Sequence, residues 1–114
     1  MRRSFAVVAL LASACERGWS VQGHVRDAGA GAVRGAAVAL SCPGQQALAA
    51  TTDRDGAFEL RGRGPGPALD CAVVVAAPAF LRSRFPLAQA CEAARDDLPR
   101  SCEVALVDAV LSRR

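Results

Sequence analysis

Short stretches in which apolar and polar residues alternate form the main pattern along this chain. In residues 19–26, Trp19, Val21 and Val25 share one face, and Ser20 and His24 lie on the other. A period of two residues is typical of a β-strand with one buried face. The same pattern predicts further strands over residues 36–42, 47–52, 58–60, 69–75, 80–85 and 102–111.

Turn-forming residues separate the predicted strands. The segment Asp53-Arg54-Asp55-Gly56 combines residue types that favour a tight turn between two strands. We expect Asp53 and Asp55 to bind backbone amides, Gly56 to adopt a positive φ, and Phe58 to fill the space between two sheets. Residues 61–67 contain three glycines and two prolines and are predicted to form a loop.

One stretch near the C-terminus has helical rather than strand spacing. Its apolar residues recur every three or four positions and predict a short helix: Leu87, Ala90, Cys91, Ala94 and Leu98. The whole set of elements predicts an all-β fold. We expect an antiparallel seven-stranded Greek-key β-sandwich with a short helix or loop before the last strand.

The first fifteen residues have the features of a bacterial export signal. Two arginines precede an apolar run at 5–11, which is too short to span a bilayer, and small residues follow at 12–14. Residues 11–15 resemble a lipobox, in which cleavage before Cys15 leaves that cysteine lipidated. The small residues also fit an ordinary signal-peptidase site. We predict a signal peptide at 1–14, a lipidated N-terminus and linker at 15–18, and a folded domain at 19–111.

Export changes the interpretation of the remaining cysteines, Cys42, Cys71, Cys91 and Cys102. Four cysteines in an oxidising compartment predict two disulfides. Three pairings are possible. We favour Cys42 with Cys71, because this pair would join the ends of two series of inward-facing residues. We also favour Cys91 with Cys102, because this pair would close the predicted helical stretch onto the last strand. With no C-x-x-C pair and a single histidine, we expect no metal site.

Length and charge exclude several classes of function. A chain of 114 residues holds one domain. Its formal charge of +3 includes the two arginines of the export signal, and without them 12 basic residues face 11 acidic ones. We therefore expect no binding to nucleic acid.

His24 is predicted to face solvent, and Asp96 and Asp97 are neighbours in a polar loop. These residues form no recognisable catalytic constellation, so we expect neither enzymatic activity nor a cofactor.

Three segments together resemble the carboxypeptidase regulatory-like domain, which is also called transthyretin-like or prealbumin-like. They are Val21-x-Gly23-x-Val25-x-Asp27, Gly35-Ala36-x-Val38-x-Leu40, and Thr52-Asp53-x-Asp55-Gly56-x-Phe58. The resemblance covers residues 19–85. Cys71 stands where family members have Tyr, and Ala79-Phe80 stands where they have Gly followed by an aromatic residue.

The resemblance implies a prealbumin-like sandwich that acts as a stalk, spacer or interaction domain rather than as an enzyme. With the lipobox, it predicts a non-enzymatic envelope lipoprotein that is held at a membrane by lipid on Cys15 and contacts another envelope protein. The outer membrane or cell surface is favoured over the inner membrane, with a secreted or periplasmic protein as the alternative. A second hypothesis is a small-ligand or carbohydrate-binding module. The oligomeric state is left open.

Overall fold

The computed structural model describes residues 18–29, 31–96 and 100–114. The predicted signal peptide and Cys15 lie outside the described residues. The described residues form eight strands and one helical turn, in the chain order β1 (Gly18–Asp27), β2 (Ala37–Ser41), β3 (Leu48–Thr51), β4 (Ala57–Arg63), β5 (Ala72–Ala76), β6 (Ser83–Pro86), α1 (Leu87–Ala90), β7 (Cys91–Arg95) and β8 (Ser101–Leu111).

The strands form two four-stranded sheets. The first sheet has the order β4-β1-β8-β7, and the second sheet has the order β3-β2-β5-β6. The predicted all-β sandwich is therefore confirmed at this level, but the described residues contain eight strands rather than seven. Neighbouring strands are antiparallel except β1 and β8, which are parallel. The expectation of a wholly antiparallel fold was wrong, because the last strand inserts beside the first one. The Greek-key connectivity stays a prediction.

The core lies between the two sheets and is built from the predicted inward faces. Val21 and Val25 of β1 are buried, as are Val38 of β2 and Phe58 of β4. Val74 points away from this core and is also buried, so β5 is covered on both sides. Most core side chains are small or β-branched, which suits the half-buried surface of a pleated sheet.

The predicted helix over 87–98 was largely wrong. In the described part of this stretch, Leu87–Ala90 is helical and Cys91–Arg95 forms strand β7. Leu98 lies outside the described residues. β7 pairs with β8 in an irregular register with bulges, which brings Cys91 beside Ala105. Pairing with β8 gives the backbone groups of this segment their hydrogen bonds. The bulges interrupt the alternation of its side chains, so the spacing of its apolar residues resembles that of a helix.

Two strand boundaries also differ from the prediction. The predicted loop at 61–67 begins later, because β4 continues to Arg63 as an edge strand paired with the start of β1. The predicted strand at 80–85 starts later, since β6 is Ser83–Pro86 and Phe80 forms an isolated bridge with Arg113.

Two disulfides are present among the described residues, and both are the pairs favoured above. Cys42–Cys71 joins the end of β2 to the segment before β5, and Cys91–Cys102 joins β7 to β8. Each bond links neighbouring elements of one sheet, so the two sheets are held together by core packing.

The sandwich has two ends with different loops. β1 begins at what we call the N-terminal end, where β2, β4, β6 and β7 finish and β3, β5 and β8 start. The connections 42–47 and 64–71 therefore lie at the N-terminal end. The connections 28–36, 52–56 and 77–82 lie at the opposite end.

Candidate functional site

The Thr-Asp-x-Asp-Gly-x-Phe segment lies at the opposite end and joins two loops. Thr52 is buried there, and its hydroxyl donates a hydrogen bond to the Val33 carbonyl at 2.6 Å and accepts one from the Ala36 amide at 2.9 Å. The Thr52 amide donates in turn to the Ala36 carbonyl at 3.0 Å. The side chain of Thr52 thus connects the β1–β2 loop to the β3–β4 loop.

Asp53 organises the turn that follows Thr52. Its carboxylate accepts hydrogen bonds from the amides of Asp55 and Ala57, both at 2.9 Å. These bonds favour the charged form, so they lower the pKa of Asp53, first through the Ala57 amide and then through the Asp55 amide. The Asp27 carboxylate likewise accepts from the amides two and four residues further along the chain, those of Gly29 and Gly31.

The other three residues of the turn have different environments. Gly56 has φ 73°, and Phe58 is buried between the sheets. The carboxylate of Asp55 is exposed and lies 3.9 Å from the Arg54 guanidinium, so the expected amide cap from Asp55 was wrong. A carboxylate at 53 is placed to reach the amides at positions 55 and 57, whereas the side chain of Asp55 points towards solvent. This site has a structural role in the turn.

Charged residues also meet on the outer face of the first sheet. The Arg26 guanidinium donates to both carboxylate oxygens of Asp108, at 3.0 and 3.2 Å, and this bonding lowers the pKa of Asp108. His24 is exposed on the same face, as its place in the alternation predicts. His24 is the cross-strand neighbour of Asp108 and adds a smaller electrostatic attraction that also lowers the Asp108 pKa.

The N-terminal end contains a groove between the two sheets, which we call the N-terminal groove. Its volume is about 550 Å³, and its apolar wall includes Trp19, Leu40, Leu48 and Pro65. Trp19 is the second residue of β1, and Leu40 and Leu48 are directly paired across β2 and β3. The groove exists because the inward faces of these strands reach the end of the sandwich without a covering element.

The indole of Trp19 has a defined position in this groove. Trp19 pairs with Gly62 of the edge strand β4, and a Cβ atom at position 62 would collide with the indole ring. The ring therefore lies across the glycine backbone, an arrangement known to support glycine in edge strands. Trp19 packs against the core and remains half-buried.

The polar part of the groove comes from amides and one ion pair. Gln45 and Gln46 are exposed in the β2–β3 loop and line the groove. The Arg95 guanidinium also lines it and lies 3.5 Å from the Glu103 carboxylate. The groove therefore offers an aromatic ring, aliphatic side chains and neutral amides, a composition that suits an uncharged or amphipathic ligand.

The sequence does not predict this groove. Trp19 is correctly placed on the inward face, but its position at the open end of the sandwich depends on the pairing of distant strands. The glycines and prolines of residues 61–67 were the available signal, because Gly62 and Pro65 are both needed beside Trp19.

Among the described residues, no three His, Cys, Asp or Glu side chains group in a way that would hold a metal ion. No helix in the described ranges has the length and hydropathy needed to cross a bilayer.

Comparisons with known proteins give a fold likeness. No family model matches the chain. No curated protein matches it either. Among solved structures, the chain is similar to hydroxyquinol 1,2-dioxygenase from Pseudomonas putida DLL-E4, with a TM-score of 0.56 and 13% sequence identity. The match covers 86% of this chain and 57% of that one, so the chain spans little more than half of the enzyme. At this identity the likeness shows a shared fold.

Proposed function

We propose that this protein is a non-enzymatic envelope lipoprotein whose disulfide-bonded β-sandwich is a structural or protein-interaction module at a membrane surface. The observation that supports this proposal is the pair of disulfides, which suits a compartment outside the cytoplasm. The lipobox-like residues 11–15 add the anchor. The folded strands begin at Gly18, three residues after Cys15.

We also propose that the sandwich is a member of the carboxypeptidase regulatory-like group. The support is the role of the Thr52–Phe58 segment, because Thr52 links two loops and Asp53 binds the turn amides. These are structural roles that a non-catalytic module requires. The likeness to a dioxygenase concerns the fold, and we transfer no activity from that enzyme.

The intact mass of the native protein tests the anchor. The full chain is expressed in a bacterial host, extracted with detergent, treated to block free thiols, and weighed without reduction. We expect the mass of residues 15–114 plus lipid, less four hydrogens, with no blocked thiol. The matched variant Cys15→Ser removes the attachment site, and we expect it to be recovered without lipid. An unlipidated wild-type protein with one blocked thiol would contradict the proposal.

The protein partner is tested in intact cells. Cross-linking of the lipidated protein, followed by purification under denaturing conditions, is expected to recover an envelope protein. Recovery of no partner from an abundant, correctly lipidated protein would contradict the interaction role and leave a structural one.

The N-terminal groove favours binding of a small ligand or carbohydrate as a second candidate function. Trp19 offers an aromatic surface, and Gln45 and Gln46 offer neutral hydrogen-bonding groups beside it. Trp19 is the only tryptophan of the chain, so its fluorescence reports on the groove directly. A panel of oligosaccharides is titrated against the protein. A saturable change in emission that Gln46→Ala weakens would support this function, and the absence of any change would remove it.

A further inference from the structure

The N-terminal groove lies at the end of the sandwich that a lipid on Cys15 would hold near the membrane. The inference rests on the proposed lipidation of Cys15. Cys15 precedes Gly18 by three residues, so the chain between them spans at most about 11 Å. A lipid on Cys15 therefore holds the N-terminal end of the sandwich within about this distance of the bilayer.

Two of the loops beside the groove are nearly free of charge. Residues 42–48 contain no charged residue, and residues 64–71 contain Asp70 alone. The connection from β7 to β8 at the same end does carry charge, because its sequence includes Asp96, Asp97 and Arg100. Arg100 lies 3.8 Å from Asp96, and the wall of the groove includes the Arg95 ion pair described above.

Apolar side chains are exposed where the charges are missing. Leu48 is 47% exposed at the edge of the groove, and Pro65 is also exposed. Trp19 lines the same groove, with its indole half-buried. Tryptophan is favoured at the headgroup level of bilayers, because its ring is in an apolar environment while its N–H remains hydrated. Exposed aliphatic side chains beside it add apolar area that leaves water on contact with the acyl chains.

We propose that the N-terminal groove faces the bilayer to which Cys15 is attached, and that Trp19, Leu48 and Pro65 contact the lipid interface. The bilayer, rather than a protein, is the occupant favoured here, because the short tether brings these exposed apolar side chains to the membrane. The domain then stands with the loops of the opposite end pointing away from the membrane, towards partners in the envelope.

Fluorescence of Trp19 tests this contact. The lipidated protein is reconstituted in phosphatidylcholine vesicles, with or without lipids brominated near the glycerol end of the acyl chain. If intact mass shows no native lipid, the Cys15 thiol is coupled to maleimide-bearing lipid in the same vesicles. The mass result therefore tests the anchor, and the fluorescence result tests the membrane contact separately.

We expect brominated lipid to quench Trp19 and plain lipid to shift its emission to shorter wavelength. Leu48→Gln should weaken this quenching. The matched variant Leu81→Gln, which alters a leucine 52% exposed at the opposite end, should leave it unchanged.

Two results would overturn the proposal. The first is equal Trp19 emission in brominated and plain vesicles, with Cys15 shown by mass to be attached in both. The second is equal weakening by the Leu48 and Leu81 variants, with both variants folded by circular dichroism. A Trp19 signal that responds to oligosaccharide but not to brominated lipid would assign the groove to a soluble ligand instead.

Discussion

At the residue scale, single polar or strained positions hold the loops at the opposite end of the sandwich. Thr52 connects two loops from a buried position, Asp53 binds the amides of its own turn, and Ala79 has a positive φ of 68°. Ala79 occupies the position where the resembled family has glycine. Each of these residues can be tested by a substitution with a close control.

Thr52→Val should destabilise the domain by about 1 to 3 kcal/mol, because it leaves the buried Ala36 amide and Val33 carbonyl without this partner. Urea unfolding followed by circular dichroism measures the change. Thr51→Val, at the exposed neighbouring position, should stay within about 0.5 kcal/mol of the wild type. Equal effects of the two variants would contradict a specific role for the Thr52 hydroxyl.

Ala79→Gly should stabilise the domain by about 1 kcal/mol. The Phe80 amide donates to the Ala77 carbonyl, with Pro78 and Ala79 between them, and the positive φ at the third position is that of a type II turn. Glycine adopts this conformation without the steric cost that alanine has. The thermal midpoint should therefore rise.

Ala77→Gly provides the comparison for Ala79→Gly, because Ala77 is not among the residues with positive φ. Here glycine only adds freedom to the unfolded chain and should lower stability by about 0.5 to 1 kcal/mol. A loss of stability in both variants would show that the conformation at Ala79 causes no strain.

Asp53→Asn should make the domain less sensitive to acid. The pKa of Asp53 is lowered in the folded state by its amide bonds, so its contribution to stability is present above its unfolded pKa of about 3.9 and is lost as the pH falls through the folded pKa. The urea midpoint of the wild type should thus fall more steeply below about pH 4 than that of the variant. Asp55→Asn is the matched variant, because it changes a neighbouring exposed carboxylate and leaves the two hydrogen bonds of Asp53 in place.

At the element scale, each disulfide reinforces a pair of neighbouring elements within one sheet. Cys42–Cys71 supports the β2–β5 pair of the second sheet, and Cys91–Cys102 supports the irregular β7–β8 pair of the first. β7 is a short edge strand with bulges, so its backbone pairing alone is weak. The bond to Cys102 holds this strand in place.

The two disulfides should differ modestly in their stabilising effect. Restriction of the unfolded chain predicts a loss of about 3.6 kcal/mol for Cys42→Ala with Cys71→Ala, whose cysteines are 29 residues apart, and about 2.8 kcal/mol for Cys91→Ala with Cys102→Ala, 11 residues apart. Urea unfolding of the two double variants measures both losses. A clearly larger loss for the second pair would show that the bond mainly secures β7 in the folded state.

At the scale of the whole molecule, side-chain packing holds the two sheets together. Among the described residues, no disulfide joins one sheet to the other. Leu87 of α1 is fully buried, and its amide donates to the Cys71 carbonyl at 2.9 Å. The helical turn thus packs one leucine into the core close to the N-terminal end. A core of mostly small residues gives each large side chain a substantial share of the buried apolar surface.

Leu87→Ala should destabilise the domain by about 2 to 5 kcal/mol, since it removes a fully buried side chain and leaves a cavity. Leu81→Ala makes the same chemical change at a leucine that is 52% exposed, and should remain within about 0.5 kcal/mol of the wild type. Differential scanning calorimetry distinguishes the two. Similar thermal midpoints for both variants would contradict the central role of Leu87.

Features that depend on local chemistry could be predicted from the order of the residues alone. Alternation identified the inward faces of β1 and β2, and the Asp53–Gly56 segment predicted its turn. These features follow from a side-chain period of two and from turn preferences, which neighbouring residues decide.

Three features depend on contacts between distant parts of the chain. They are the parallel pairing of β1 with β8, the strand conformation of Cys91–Arg95, and the N-terminal groove. The apolar spacing of 87–98 is compatible with a helix until β8 offers its edge for pairing. Trp19 lines a groove because Gly62 and the 64–71 loop, distant in sequence, come beside it. Contacts of this kind depend on which faces the whole chain buries together, and local patterns do not specify them.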